Sequence, residues 1–188
     1  VPERRPMALE LRDGTFAIPV LDPKATYQLH LFDAAKNLGA VVELQAGQAG
    51  KEELTVRLAP CGAARAQFSD AKGEALAGYR PLLTLLVAPG SHAIPEGLKA
   101  VVNGGVRGGD WLWAARLDPA RYGKGPQTDK EGRVTLPGLI PGATYRLLLG
   151  NGSARDFTVQ ADATVELLRL TVDQAAATTK LPEIKAPK

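Results

Sequence analysis

Side chains that commonly act as nucleophiles, general bases or metal ligands are scarce in this sequence of 188 residues. It contains three serines, two histidines and one cysteine, namely Ser69, Ser91, Ser153, His30, His92 and Cys61. No serine lies in a G-x-S-x-G motif, and no H-x-x-x-H, H-E-x-x-H or C-x-x-C spacing occurs. Because nucleophilic, acid–base and zinc chemistry need such groups, the sequence predicts a non-enzymatic protein with no catalytic residue, no metal site and no cofactor.

Loop carboxylates offer one further route to a metal site. Calcium takes oxygen ligands of the kind that Asp110, Asp118, Asp129 and Glu131 carry, but the D-x-[DN]-x-[DN]-G pattern is absent. We interpret residues 129–132 as a turn whose carboxylates hydrogen-bond the turn backbone.

Aromatic side chains are the strongest candidates for a binding site. Alternation along a strand puts the rings of Trp111 and Trp113 on one face, and Tyr122 follows a short distance beyond. Such a group can stack on sugar rings or contact another protein, but it can equally cover the core, since only ten aromatic residues (2 Trp, 4 Tyr, 4 Phe) are present. Tyr27 and Tyr145 each begin an apolar strand after a turn, which suits a tyrosine corner that bonds nearby backbone.

Charge and hydropathy limit the partners. The net charge is +3, and the last nine residues hold three Lys and one Glu, so they supply +2 of it. A nearly neutral body without clustered basic residues argues against nucleic-acid binding.

The longest strongly apolar stretch, residues 82–88, has seven residues, whereas a membrane-spanning helix needs about 20. The chain begins Val1-Pro2-Glu3, which we interpret as a mature product or a segment of a longer protein.

An internal repeat organises the elements that position these residues. Residues 14–29 align without a gap on residues 132–147, an offset of 118, and eight of the sixteen positions are identical. The identities include Gly14/Gly132, Pro19/Pro137, Pro23/Pro141 and Tyr27/Tyr145. Apolar alternation on both sides of a Pro-containing turn predicts β structure in each copy.

Further alternation predicts strands along the rest of the chain, at 29–31, 41–44, 54–58, 64–68, 82–87, 111–117, 157–159 and 165–172. The strands at 64–68 and 82–87 are predicted to join across the turn at 70–73, and Asn151-Gly152 is a hairpin turn dipeptide. The 20 Gly and 14 Pro residues fit short elements and frequent turns.

Two segments together resemble the carboxypeptidase regulatory-like domain family. They are Ser69-Asp-Ala-Lys-Gly73-Glu-Ala-Leu76-Ala-Gly78 and Thr128-Asp-Lys-Glu-Gly132-Arg-Val-Thr-Leu-Pro137-Gly-Leu-Ile-Pro141-Gly-Ala-Thr-Tyr145. The resemblance implies a transthyretin-like (prealbumin-like) β-sandwich of about seven strands over residues 59–174. Gly132, Pro137 and Pro141 are then structural residues, and the motif carries no catalytic residue to transfer.

The sequence therefore predicts an all-β protein of tandem Ig-like or transthyretin-like antiparallel β-sandwich units. Residues 1–58 form a partial or atypical unit, 59–174 a complete one with a loop insertion at about 89–125, and 175–188 a flexible tail. The resemblance implies a non-enzymatic module of a larger extracytoplasmic protein, acting as a spacer and protein-contact scaffold. Its partners are other domains of the polypeptide or other proteins. The alternative is a carbohydrate-binding or accessory module of a hydrolase that uses Trp111, Trp113 and Tyr122.

Overall fold

A computed structural model of the chain describes Lys24 and residues 26–45, 54–86, 111–149 and 153–172. Within these residues lie ten β-strands: β1 (Thr26–Asp33), β2 (Leu38–Gln45), β3 (Ala59–Pro60), β4 (Gly62–Ser69), β5 (Leu82–Leu86), β6 (Trp111–Trp113), β7 (Arg133–Leu139), β8 (Thr144–Leu148), β9 (Ala154–Thr158) and β10 (Thr164–Thr171). Two four-residue helices, α1 (Ala114–Leu117) and α2 (Pro119–Tyr122), follow β6. The predicted all-β class is confirmed in this part of the chain.

Seven of the strands form two sheets that share one core. One sheet has the order β10-β4-β7 and the other the order β6-β5-β8-β9. Neighbouring strands run antiparallel, except that β10 runs parallel to β4. The predicted antiparallel sandwich thus contains one parallel pair, because β10 crosses from the opposite sheet through the turn at 159–163 instead of entering by a hairpin.

The core comes from the period-two alternation of the strands. In β4, Ala64 and Phe68 are fully buried while Arg65 is exposed, and in β7 the buried Val134 and Leu136 alternate with exposed neighbours. Burying one large apolar side chain contributes about 1.5–3 kcal/mol relative to leaving it in water. The inward faces of both sheets therefore join in one hydrophobic cluster.

A third sheet, of order β1-β2-β3, adjoins the sandwich. β1 and β2 form an antiparallel hairpin, and β2 pairs with β3 through Leu38 opposite Pro60 and Gly39 opposite Ala59. Only Cys61 separates β3 from β4. The described part of residues 1–58 thus contains a hairpin whose second strand pairs with β3, next to the start of the sandwich, and the division into units at residue 58 stays a prediction.

Two strands begin at matching positions of the sequence repeat. β1 begins at Thr26 and β8 at Thr144, which differ by the offset of 118 residues, and each strand forms a hairpin with the next strand of the chain. Equivalent residues of the repeat therefore begin equivalent hairpins.

Three predictions about elements are wrong. Residues 54–58 form no strand, and pairing begins only at Ala59. The strand predicted at 111–117 ends at Trp113, because Asp118 caps α2 through its side chain and the preceding Ala-rich residues form α1. The turn at 70–73 does not join a hairpin, since β4 and β5 belong to different sheets.

Several predicted features lie outside the described residues. They are the first copy of the repeat before β1 apart from Lys24, most of the insertion at 89–125, the Asn151-Gly152 turn and the tail at 175–188. The last part of the predicted insertion, from Trp111, contains β6 and both helices.

Candidate interaction surface

Tyr145 lies in the core with its hydroxyl bonded to the backbone. The side chain is 1% exposed, and the hydroxyl oxygen accepts a hydrogen bond from the Ile140 N–H at 2.8 Å. The ring stacks on Phe157 with centroids 5.9 Å apart. Burial raises the pKa of the phenol, so the hydroxyl stays protonated. This is the contact that a tyrosine corner requires; the side chain of Tyr27, the equivalent residue of the repeat, lies outside the described part.

The motif residues around Tyr145 fix turns and close approaches. Gly132 has φ +75°, and a Cβ there would clash with the Phe68 carbonyl oxygen, so other residues are excluded. Pro137 is exposed in β7 and uses its carbonyl as an acceptor, while Pro141 is half-buried in the turn before β8. The predicted role of Asp129 is confirmed, because one carboxylate oxygen accepts from the N–H groups of residues 131 and 133 at 3.0 and 2.7 Å.

The structure separates the three predicted ligand-binding aromatic residues. Tyr122 is 7% exposed and belongs to the core cluster, and its hydroxyl donates to the Pro137 carbonyl at 2.6 Å. Its role as an exposed stacking surface is therefore wrong, because the ring is buried in the core and the hydroxyl is bonded inside the protein. Trp113 is half-buried in β6, the edge strand next to β5. Only the backbone of Trp111 is described, opposite Leu86, so the Trp111–Trp113 site stays a prediction.

Asp118 and Arg121 form an ion pair within the α2 segment, and Arg121 also contacts the β1–β2 turn. The Asp118 carboxylate is 4% exposed and lies 2.8 Å from the Arg121 guanidinium, which is 31% exposed. The same guanidinium donates to the Ala34 carbonyl at 3.5 Å. Next to it, the Cys61 N–H donates to the Asn37 carbonyl at 2.9 Å. We call these five residues the junction. Burial raises the pKa of the Cys61 thiol there, Arg121 partly opposes the shift, and Asp118 adds to it.

The outward face of the β10-β4-β7 sheet carries a shallow cleft of about 530 Å³. Its chemically distinctive lining residues are Arg65, Gln67, Asp129, Arg133, Glu166, Leu168 and Arg169; we call this the outer cleft. Arg65 and Glu166 lie 3.4 Å apart and are each about 60% exposed. Among the described residues, the guanidinium groups of Arg133 and Arg169 have no ion-pair partner.

Leu168 projects into the outer cleft from a β-bulge. The pairing of β10 with β4 shifts register between Glu166 and Arg169, and Leu168 there has φ +58°. The side chain is 79% exposed, whereas Leu167 and Leu170 on either side face the core. The bulge therefore keeps the core pattern on both sides of it and turns one extra apolar side chain outward.

Sequence reasoning missed the outer cleft because its residues come from three strands that are distant in the chain. Alternation alone predicts that Arg65 and Arg133 face outward. It does not indicate that β10 lies beside β4, because that neighbour relation depends on the parallel crossover. The bulge was also hidden, since Leu is an unusual residue at positive φ.

The described residues contain no group of three or more His, Cys, Asp or Glu side chains placed to hold a metal ion. No helix among them is long and apolar enough to span a membrane.

No family model and no curated protein matches the sequence. Among solved structures, the chain is similar to a streptococcal ancillary pilin, at 15% identity and a TM-score of 0.34 over 80% of this chain and 46% of the pilin. It is also similar to the minor pilin of Streptococcus agalactiae, at 17% identity and a TM-score of 0.34 over 93% of this chain and 68% of that protein. The chain thus spans less than half the length of the first pilin. The resemblance to carboxypeptidase regulatory-like domains remains a prediction beside the observed two-sheet β-sandwich.

Proposed function

We propose that this chain is a non-enzymatic structural and interaction module of a larger extracytoplasmic protein, in which it acts as a spacer and a protein-contact scaffold. The observation that carries the proposal is the junction, where the backbone hydrogen bond from Cys61 to Asn37 and the contact of Arg121 with Ala34 join the β1–β2 hairpin to the sandwich. The extracytoplasmic location rests on the family resemblance of residues 69–78 and 128–145. The low number of serine, histidine and cysteine residues supports the non-enzymatic part.

A spacer must hold the elements at its two ends at a fixed separation. Apolar packing supports this at the junction, because Phe32 and Val41 of the hairpin pack against the sandwich core. A Cβ added at Gly39 would meet the Leu31 carbonyl oxygen at 3.1 Å and the Ile140 side chain at 3.2 Å, so β2 lies close to the turn before β8. Loss of this contact would require the hairpin to expose apolar surface to water.

The ion pair adds a polar constraint to the same contact. Asp118 is 3% exposed as a whole residue, and removing the partner of a buried charge is far more costly than removing an exposed partner. Arg121 therefore holds α2, the Asp118 carboxylate and the hairpin turn in one arrangement. In a protein-contact scaffold, such rigidity reduces the ordering cost of binding.

Hydrogen exchange on the full chain tests the spacer proposal. We expect amides of β1 and β2 to be protected to nearly the same extent as those of β4 and β8, because the hairpin and the sandwich open together. Arg121→Gln should lower the free energy of unfolding by about 2–4 kcal/mol and reduce hairpin protection first. The matched control is Arg65→Gln, which removes an exposed ion pair and should cost about 0–1 kcal/mol.

The opposite pattern would overturn the proposal. If residues 26–45 exchange as rapidly as an unfolded segment while the sandwich stays protected, the hairpin is not a rigid part of a spacer. Equal effects of Arg121→Gln and Arg65→Gln would likewise remove the junction as its basis.

A further inference from the structure

The stability of the sandwich does not explain why a leucine occupies position 168 in the outer cleft. A left-handed backbone conformation costs a non-glycine residue about 1–2 kcal/mol, and Leu168 adopts one at φ +58°. Its side chain is 79% exposed, compared with 44% for Leu54 and 39% for Leu82, the other exposed large apolar residues of the described chain. Little packing offsets the strain, and glycine or asparagine would fit this backbone better.

Three arginines and two carboxylates line the outer cleft around this apolar side chain, so its net charge is positive. Arg133 and Arg169 line the same cleft, and no carboxylate among the described residues pairs with either of them. Arg65 is already paired with Glu166, but at 3.4 Å and about 60% exposure that pair is weak and exchangeable. A guanidinium group presents a planar fork of donors that fits a carboxylate bidentately. The outer cleft thus offers two free carboxylate-binding groups beside one apolar contact.

The bulge also determines how a partner approaches. β10 pairs only with β4 among the described strands, so its other edge has no neighbour there. A bulge interrupts the regular spacing of ladder groups along an edge and thereby opposes the addition of another strand. A segment that uses Leu168 and the arginines together lies across the face of the sheet instead.

We propose that the outer cleft binds an acidic segment of a partner protein, an extended peptide in which carboxylates flank an apolar side chain. The carboxylates pair with Arg133 and Arg169, and the apolar side chain covers Leu168. The inference rests on the proposed function, since it names the partner chemistry of the contact scaffold. A sulfated glycan or a nucleic acid would use the arginines but would leave Leu168 uncovered, so the exposed leucine favours a peptide.

Fluorescence polarisation with labelled synthetic peptides and the full chain tests this inference. The main probe is Gly-Ser-Glu-Glu-Leu-Glu-Glu-Gly-Ser. One comparison peptide has Lys in place of every Glu, a second has Ser in place of Leu, and a heparin oligosaccharide serves as an unrelated polyanion. We expect the Glu–Leu peptide to bind most tightly, the Ser peptide about tenfold more weakly, and the Lys peptide not at all.

Variants separate binding from folding. Arg133→Gln and Arg169→Gln should each weaken peptide binding about tenfold, while Arg155→Gln on β9 of the opposite sheet serves as the matched charge control and should leave it unchanged. Leu168→Gly should also weaken binding about tenfold, yet it should keep or raise the melting temperature because the strained backbone suits glycine. Leu168→Asn gives a second variant that tolerates positive φ if the glycine variant folds poorly.

Distinct results overturn the inference. Binding of the Glu–Leu and Glu–Ser peptides with equal affinity, preference for heparin, or unchanged binding by Leu168→Gly would exclude an apolar-plus-acidic segment. Absence of binding to every probe would also overturn it. Uniform hydrogen-exchange protection of hairpin and sandwich would still support the spacer in that case, so failure of the cleft and failure of the proposed function are distinguishable.

Discussion

The hydroxyl group of Tyr145 has one defined structural role, as the acceptor of a backbone hydrogen bond. In Tyr145→Phe, the buried Ile140 N–H loses its acceptor, and an unsatisfied buried donor costs about 1–3 kcal/mol. Chemical denaturation should show this loss of stability, with a melting temperature lower by about 2–9 °C and unchanged peptide binding at the outer cleft.

Tyr79→Phe is the control for that substitution. The Tyr79 ring packs against Phe68 with centroids 5.0 Å apart, and within the described residues its hydroxyl makes no hydrogen bond. Its removal should change stability by less than about 0.5 kcal/mol. If the two variants are equally stable, the Tyr145 hydroxyl does not support the turn at 140–145.

At the scale of the element, β6 decides between the two interpretations of the tryptophan pair. Trp113 is half-buried where β6 pairs with β5, so Trp113→Ala should lower the free energy of unfolding by about 1–3 kcal/mol, less than a fully buried ring would. Because its side chain is half-buried, we expect a glycan array to show no binding that depends on Trp113.

Glycan binding through β6 would contradict this expectation. Array binding that is lost in a still-folded Trp111→Ala variant would establish the carbohydrate-binding alternative in place of the protein-contact scaffold. Tyr79→Phe, already needed as a control, should retain any such binding.

The strands were predictable where one face is buried, and the element boundaries were not. In β7, alternation around Leu136 is regular, so its existence and inward face follow from sequence alone. The segment 111–117 has equally apolar residues, yet the chain leaves the sheet after Trp113 because α2 needs Asp118 as its cap. Tertiary contacts, here the bond between Tyr122 and Pro137, override local strand propensity.

The candidate surface was even less predictable than the elements. The sequence pointed to aromatic residues, of which Tyr122 is buried, whereas the outer cleft combines Arg133 of β7 with Leu168 and Arg169 of β10. These strands flank β4, and only β10 runs parallel to it. A parallel pairing between distant segments leaves no local signal in the sequence.

At the scale of the whole molecule, one histidine reports whether the hairpin and the sandwich unfold together. His30 of β1 is half-buried, and its Nε2 has no hydrogen-bond partner within the described chain. Burial lowers its pKa from 6.5 to about 4. The unfolded chain therefore binds a proton in a range where the folded chain does not, and stability must fall as the pH falls through that range.

The expected pH profile follows from these two pKa values. The stabilising effect of neutral His30 is complete above pH 6.5 and is lost progressively as the pH falls towards 4, by at most about 3 kcal/mol. His30→Leu should flatten this part of the profile, since carboxylates that titrate nearby are common to both proteins. Urea unfolding at several pH values, followed by signals from the hairpin and from the sandwich, measures the effect.

If the hairpin and the sandwich unfold as one unit, both signals should shift together and the difference between wild type and His30→Leu should be the same for each. A shift confined to the hairpin signal would show that residues 26–45 open separately, which contradicts a rigid spacer.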